Sequence, residues 1–459
     1  FRDAADLWGQ SATATLVRLN QELGPDFRLL AIGPAGEAGV RFAGIVSDVR
    51  RTTARGGAGA VMGAKNLKAI AVRGSLSVPA QNSSGLISLR RELATLLANW
   101  SNYTHWRRWG ATPLLLSSSQ AGMLTTKNFR EGSWPAIANL AFPTAEREFW
   151  VRHAACAHCS LKCIKIGQIS SGPWRGTIAE GPGYSAGSML GANCGVTEFN
   201  GLMKLIARVD ELGLDPIAAG NVLGFVMDLY EYEILRREDL DGLTPTWGNV
   251  PVMLELLDRI ARRQGIGELL SLGVKKAAAA IGAAAVPFAM HVKGQELAGW
   301  NVPASPDFAV VYGTANRGAS HQEGASIPEQ HRRTFLDALG VCRFVYGAVG
   351  TAPYQRALAL ASGLPADDAA MLAVGERIWN LEKMFNAREG FRRVDDLLPE
   401  RLLTTKFHSG PKAGATFPSG QQDSLLDKYY NDRGWDKQTS LPTPAKLKAL
   451  GLDKLVTTF

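Results

Sequence analysis

Three cysteines, Cys156, Cys159 and Cys163, fall within eight residues, and no other feature of this chain restricts its fold and chemistry as much. Thiols at that spacing meet at one point only when the backbone wraps around something. Thiolates are soft ligands that suit an iron–sulfur cluster or a zinc ion. A four-iron cubane takes four thiolates, and Cys342 is available as the fourth. Zinc and ordinary buried thiols remain alternatives at this point, with His158 a bystander between the first two cysteines.

The chain has five cysteines, the fifth being Cys194. An odd count with three crowded together argues against a secreted disulfide framework. A reducing compartment, the cytoplasm, is expected. No run of about 18 apolar residues is present, so no membrane-spanning helix is expected. The start has no signal-peptide pattern. A length of 459 residues is too great for one simple core and implies two or three domains. The formal charge of +8 comes from scattered Lys and Arg, which excludes nucleic acid as a partner. It leaves a mildly basic surface or a docking surface for an acidic electron carrier or an anionic cofactor.

Short apolar runs at 29–32 and 69–72 read as strands, with the glycine-rich stretch Arg55-Gly56-Gly57-Ala58-Gly59-Ala60-Val61-Met62-Gly63 between them. Polar, turn-rich residues place a boundary near 80. Helical patterning follows. Leu86–Ala98 is amphipathic. At Gly213-Leu214-Asp215-Pro216 one helix stops and another starts, with Gly213 as C′, Asp215 as N-cap and Pro216 as N1. That second helix is expected to run to about Arg236. Helices are also expected at 249–262, 266–281, from Glu329, at 367–385, 425–430 and 444–450, with a loop over 411–420.

Several motifs carry possible chemistry. Glycines at 56, 57 and 59 expose backbone N–H groups that can cradle phosphates, and Arg55 and Lys65 add charge; a tight turn between strands is the plainer alternative. Two segments share an Asp-x-x-Gly pattern: Asp210-Glu211-Leu212-Gly213-Leu214-Asp215 and Asp337-Ala338-Leu339-Gly340-Val341-Cys342. Each puts a carboxylate at a helix boundary, suited either to capping or to the paired donors on the edge of a pterin. In His291-Val292-Lys293-Gly294-Gln295-Glu296, His291 and Lys293 share one face of an extended segment, where a histidine can move protons. Asn316-Arg317-Gly318-Ala319-Ser320-His321 offers a further Arg and His.

Taken in order, these residues resemble the aldehyde ferredoxin oxidoreductase family. The resemblance runs along most of the chain, from Leu7-Trp8-Gly9 through Ile32-Gly33-Pro34-Ala35-Gly36-Glu37 and Arg41-Phe42-Ala43 to Gly57-Ala58-Gly59-Ala60-Val61-Met62-Gly63-Ala64-Lys65-Asn66-Leu67-Lys68-Ala69-Ile70. The cysteines, both Asp-x-x-Gly segments, His291-Val292-Lys293-Gly294, Asn316-Arg317-Gly318 and the end from Tyr429-Tyr430 through Arg433-Gly434-Trp435 to Pro442 follow in register. Each motif alone is weak; the ordered set is specific.

The resemblance implies a tungsten, or molybdenum, bis-pterin centre beside a 4Fe-4S cluster held by Cys156, Cys159, Cys163 and Cys342. It implies that Arg55, Gly56, Gly57 and Lys65 hold the pterin phosphates with Mg2+, and that Asp210, Asp215, Asp337 and Val341 grip the pterins. The implied reaction is oxidation of an aldehyde to a carboxylic acid, with electrons passing through the cluster to ferredoxin or an iron–sulfur electron-transfer subunit. His291 would handle the proton, Lys293 would assist, and Glu180 stands near the expected active-site carboxylate. Two departures matter. Family members carry Gly-Pro-Glu-Tyr-Glu where this chain has Gly181-Pro182-Gly183-Tyr184-Ser185. A β-rich segment ahead of Phe1 is also implied, as a separate polypeptide, a disordered stretch or a deletion. The lost glutamates keep open a different two-electron reaction on the same cofactors, as in the benzoyl-CoA reductase subunits, or a non-catalytic iron–sulfur subunit. The expected architecture is α+β: residues 1–80 ending a β-rich pterin-supporting domain, then two mainly helical domains at 81–285 and 286–459, in an oligomer.

Overall fold

The computed structural model describes residues 1–47, 51–418 and 420–455. Residue 419, inside the loop expected over 411–420, and residues 456–459 lie outside that set. Near the N-terminus helix α1 (Ala12–Leu23) opens where the Ser11 hydroxyl accepts from the Ala14 N–H. It packs on an antiparallel sheet of β1 (Arg28–Ala31), β2 (Ile45–Ser47), β3 (Thr52–Thr53) and β4 (Ala69–Val72), in the order β3-β2-β1-β4. Alternation along β1 buries Leu29 and Ala31 under α1 while Arg28 and Leu30 face outward. The glycine-rich stretch leads into α2 (Ala58–Ala64) through Gly57, which holds a left-handed φ of +72°.

Helices α3 (Ser83–Ala98) and α4 (Tyr103–Trp109) precede a second antiparallel sheet, β5 (Trp150–Ala154), β6 (Ile164–Gln168) and β7 (Ile178–Glu180), in sequence order. The cysteine loop is the β5–β6 connection. Helices α5 (Tyr184–Leu190), α6 (Phe199–Leu212) and α7 (Pro216–Glu231) follow. Residues 217–229 of α7 are all buried, as an all-round apolar helix must be, and the largest hydrophobic cluster forms around it. Helix α8 (Val250–Arg262) starts at the Asn249 cap, and α9 (Val274–Ile281) leads to a short hairpin, β8 (His291–Val292) and β9 (Gln295–Glu296).

Beyond the hairpin come α10 (Asp307–Thr314), α11 (Ile327–Ala338), α12 (Arg343–Val349), α13 (Ala352–Ser362), α14 (Asp368–Arg388) and α15 (Gln421–Arg433). A second cluster joins residues 290–319 to 398–417, and Trp379, Tyr429, Tyr430 and Trp435 form a third. Small sheets beside many helices make the mixed α+β fold that the sequence implies. No helix among the described residues is long and apolar enough to cross a membrane.

The expected stop and start at 213–216 is present in detail. Gly213 is left-handed and the Asp215 carboxylate accepts from the Ile217 N–H at 2.9 Å. Two elements differ. The helix after Pro216 ends at Glu231 rather than about Arg236. The helix expected over 266–281 breaks at Gly273, where φ is +78°. A left-handed residue cannot continue a right-handed helix.

Candidate functional site

The segment Asp210–Asp215 is sewn to the first sheet. Gly44 N–H donates to Gly213 O at 2.8 Å, and Asp215 N–H to Phe42 O at 2.9 Å. A Cβ on Gly33 would stand 2.4 Å from Leu212 O, so only glycine lets these backbones approach. Arg55, from the glycine-rich stretch, reaches the buried Asp215 at 3.5 Å. Burial pushes the Asp215 carboxyl up, and Arg55 opposes the shift. The pattern at 210–215 and the stretch at 55–57 are therefore one local structure.

In the cysteine loop, His158 and Lys162 both hold left-handed φ values, +57° and +50°. Each is a conformation that costs a non-glycine residue about 1 kcal/mol or more. Cys156 and Cys342 are exposed, Cys159 and Cys163 half-buried, and none forms a disulfide. Burial raises the Cys163 thiol; Arg51 lowers it, and the charges of Cys342, Cys159 and Cys156 raise it further, so all four sulfurs stand within electrostatic reach. Cys342 is the N-cap residue of α12, which brings it to the loop from a distant part of the chain. Among the described residues no three His, Cys, Asp or Glu are close enough to share a single metal ion. A cubane binds each thiolate at a different corner, so its ligands stand farther apart than those of one ion. The donor set fits the cluster. Cys194 is elsewhere, fully buried, its thiol donating to Met189 O and Gly220 O.

A cavity of about 620 Å³ lies against Cys163. Glu180, Asp210 and His321 line it, together with Arg51 and Thr52 ahead of the glycine-rich stretch. Glu180 pairs with Arg51 at 3.0 Å. The His321 Nδ1 is buried without a hydrogen-bond partner among the described residues. Burial lowers its pKa to about 3, with Arg55, Arg317, Arg343 and Arg333 adding to the shift. The imidazole is thus neutral near pH 7 and keeps a lone pair for a guest. A second cavity, of about 470 Å³, is lined by Asp337, Asn316, Arg317, Glu323 and Glu382. The two patterned carboxylates, Asp210 and Asp337, therefore line two separate spaces.

Other expected site residues lie outside both cavities. Arg55 donates to the backbone carbonyls of Glu296 and Ala319. Gly56 and Gly57 form the turn before α2, and Lys65 is exposed at its end. Val341 packs beside Phe335, Leu336 and Met371. His291 and Lys293 differ most from expectation. The extended segment ends at Val292, because Lys293 and Gly294 form a two-residue turn with φ of +57° and +80°. Alternation no longer applies across Lys293. Lys293 Nζ pairs with Asp396 at 2.6 Å, and its side chain is 4% exposed. Asp396 also holds Lys383 at 3.1 Å and the Tyr430 hydroxyl at 2.7 Å. Although burial favours the neutral acid, the two lysines hold the Asp396 carboxyl below its usual range. Asp396→Asn leaves two buried ammonium groups without a counter-charge. A loss of about 3–5 kcal/mol is expected, read as a lower denaturation midpoint.

Sequence reasoning offered His321 only as a further histidine; the structure puts it on the lining of the first cavity, where His291 and Lys293 are not. The signal that distinguishes it is local: Lys-Gly between Val292 and Gln295 marks a hairpin turn, which takes His291 and Lys293 out of an extended run.

Comparison with known proteins adds the following. A family model described as "Aldehyde ferredoxin oxidoreductase, N-terminal domain" matches residues 1–74. One described as "Aldehyde ferredoxin oxidoreductase, domains 2 & 3" matches residues 88–452. A tungsten-containing aldehyde ferredoxin oxidoreductase of Pyrococcus furiosus is 32% identical over 98% of this chain and 78% of its own length. The WOR-like subunit of an aliphatic sulfonate oxidoreductase from the same organism is 28% identical over 98% of this chain and 76% of its own. Among solved structures, the active-site complex BamBC of benzoyl coenzyme A reductase with 1,5-dienoyl-CoA aligns with all of this chain and 78% of that one, at a TM-score of 0.77 and 22% identity.

Proposed function

The chain belongs to the aldehyde ferredoxin oxidoreductase family, and on that footing we propose that it oxidises an aldehyde to a carboxylic acid in the first cavity. The family is one of tungsten enzymes with pterin and iron–sulfur cofactors. In this reading Asp210 and Asp337 each grip one pterin of a tungsten, or molybdenum, centre. Gly56 and Gly57, with Arg55 and Lys65, hold the phosphates and Mg2+. Cys156, Cys159, Cys163 and Cys342 hold the 4Fe-4S cluster. The observation that carries the reading is the convergence of Cys163, Glu180, Asp210 and His321 on one space.

When bound, the metal–pterin group supplies the two-electron couple. Oxidation of an aldehyde by water yields the acid, two electrons and two protons. The electrons leave singly through the cluster to ferredoxin or an iron–sulfur subunit. The chain's own task is the protons and the substrate. His321, neutral and with no partner for Nδ1 among the described residues, hydrogen-bonds and orients the substrate in the cavity, where His291 was first expected to handle the proton. Glu180 with Arg51 provides a polar exit.

The test is aldehyde-dependent reduction of a viologen dye by the metal-loaded protein without oxygen. His321→Ala is expected to lower kcat by about a hundredfold or more, with metal content unchanged. Equal rates in wild type and variant remove His321 from the mechanism. A second reading keeps the cofactors and changes the reaction; Gly183 and Ser185, where the family motif has glutamates, favour it. Metal-loaded wild type that reduces no dye with any aldehyde selects that reading.

A further inference from the structure

Residues 181–186 form one wall of the first cavity, and the glycines near it differ in what requires them. Gly181 has φ of +118°, where a side chain is strained. A Cβ on Gly187 would stand 2.7 Å from Leu115 Cδ1. Gly183 has neither reason. Its φ of −78° and ψ of 159° are open to any residue, and a Cβ there meets no atom within 4 Å. The backbone does not wander, since the Thr112 hydroxyl donates to Pro182 O at 2.6 Å and the Trp150 indole N–H to Gly181 O at 2.7 Å. Gly183 is therefore a fixed, bare position opening on cavity space, and its lining neighbours Ser185 and Ala186 are small.

The same cavity has a rigid aromatic wall. Tyr184 and Trp300 stand 4.7 Å apart between ring centres; Trp300 and Phe308 stand 5.9 Å apart with planes within 5°. The Tyr184 hydroxyl donates to Gly299 O at 2.7 Å, and the Tyr312 hydroxyl bonds Trp300 O at 3.0 Å, so these rings are held from behind. His321 lies 6.2 Å from Trp300. The cationic side chains on the lining have acidic or carbonyl partners: Arg51 has Glu180, Arg333 has Glu329, Arg343 has Asp337 through Nη2 while its Nη1 has none among the described residues, and Lys165 has the carbonyls of Arg107 and Lys162. What this wall offers the non-reacting part of a substrate is ring surface and small side chains, beside the histidine.

We propose that this wall seats a planar aryl group, placed in the space at Gly183 and against Trp300 and Phe308, so that the substrate class is aryl aldehydes. The proposal rests on the reading of the site as aldehyde-oxidising. Ring–ring contact and burial favour a flat aromatic guest over an aliphatic ring of similar size.

The test uses the holoenzyme and three carboxylate probes, benzoate, cyclohexanecarboxylate and acetate, with binding read by tryptophan fluorescence and calorimetry. Benzoate is expected to bind about tenfold more tightly than either of the others, a difference of about 1.4 kcal/mol. Gly183→Leu is expected to reduce the benzoate-to-acetate affinity ratio by about tenfold, and Gly183→Ala by a smaller step; the alanine variant keeps the experiment readable should leucine disturb folding. Equal binding of cyclohexanecarboxylate, or a ratio unmoved in both variants, overturns the proposal. Turnover of benzaldehyde and acetaldehyde with a viologen dye separates the two claims. Tight benzoate binding without aldehyde oxidation retains the aryl site and removes the reaction. Aldehyde oxidation with no preference for benzoate retains the reaction and removes the aryl site.

Discussion

Replacing Cys342 with alanine is expected to strip iron from the protein and stop electron delivery while the fold persists. The residue is exposed, its side chain makes no cap hydrogen bond, and none of the residues of α12 that follow it is buried. Alanine there removes a sulfur and little else, so the substitution isolates ligation from packing. A cubane deprived of one of about four thiolates loses iron or falls apart. Iron per chain then drops, the visible absorbance of the cluster drops with it, and ferredoxin reduction ceases. Circular dichroism and the denaturation midpoint should change little. Full iron content in Cys342→Ala would falsify the assignment of the fourth ligand.

Acidification is expected to destabilise the protein well above the usual carboxylate range. Burial holds His291 and His331 at about 4 and His321 at about 3, against an ordinary value of 6.5. Lys275 adds to the shift at His291 and Asp395 opposes it. At His331, Arg433 and Lys446 add to the shift and Glu376 opposes it, while Arg433 Nη1 lies 2.8 Å from Nε2, which a neutral ring can accept. Above pH 6.5 these rings are neutral folded and unfolded, and stability does not depend on them. As pH falls below 6.5 the unfolded chain takes up protons that the folded protein refuses, so stability falls until the folded rings protonate at about 4 and below. Each histidine contributes about 1.4 kcal/mol per pH unit in that window. At pH 5 the three together amount to a loss on the order of 6 kcal/mol, comparable with the whole stability of many domains. Urea midpoints at pH 7.5 and pH 5 measure it. A flat profile between them contradicts the buried, neutral placement of these side chains.

How far the sequence reaches depends on whether a feature is decided locally. The stop and start at Gly213, Asp215 and Pro216 was legible because caps act through neighbours in the chain. So was the helix from Asp367, whose carboxylate accepts from the Ala370 N–H. The break at Gly273 was harder, because glycine within an apolar pattern leaves the choice between helix and turn to tertiary packing; there a Cβ would stand 2.6 Å from Glu296 Oε1, well beyond any local window. The grouping of Cys342 with the loop at 156–163 followed from ligand chemistry. The positions of His291 and His321 relative to the first cavity did not. Alternation was applied across Lys293, whose positive φ ends the strand, and the buried charge that draws the lysine away, Asp396, is distant in sequence. Gly183 was read as a lost carboxylate; only the open space in front of it shows what the position admits.

The central claim is that four separated sulfurs hold one iron–sulfur cluster beside a tungsten or molybdenum pterin. Metal analysis by mass spectrometry of protein purified without oxygen tests it most directly. The account predicts about four irons per chain together with tungsten or molybdenum; zinc in place of iron, or iron with neither heavier metal, contradicts it.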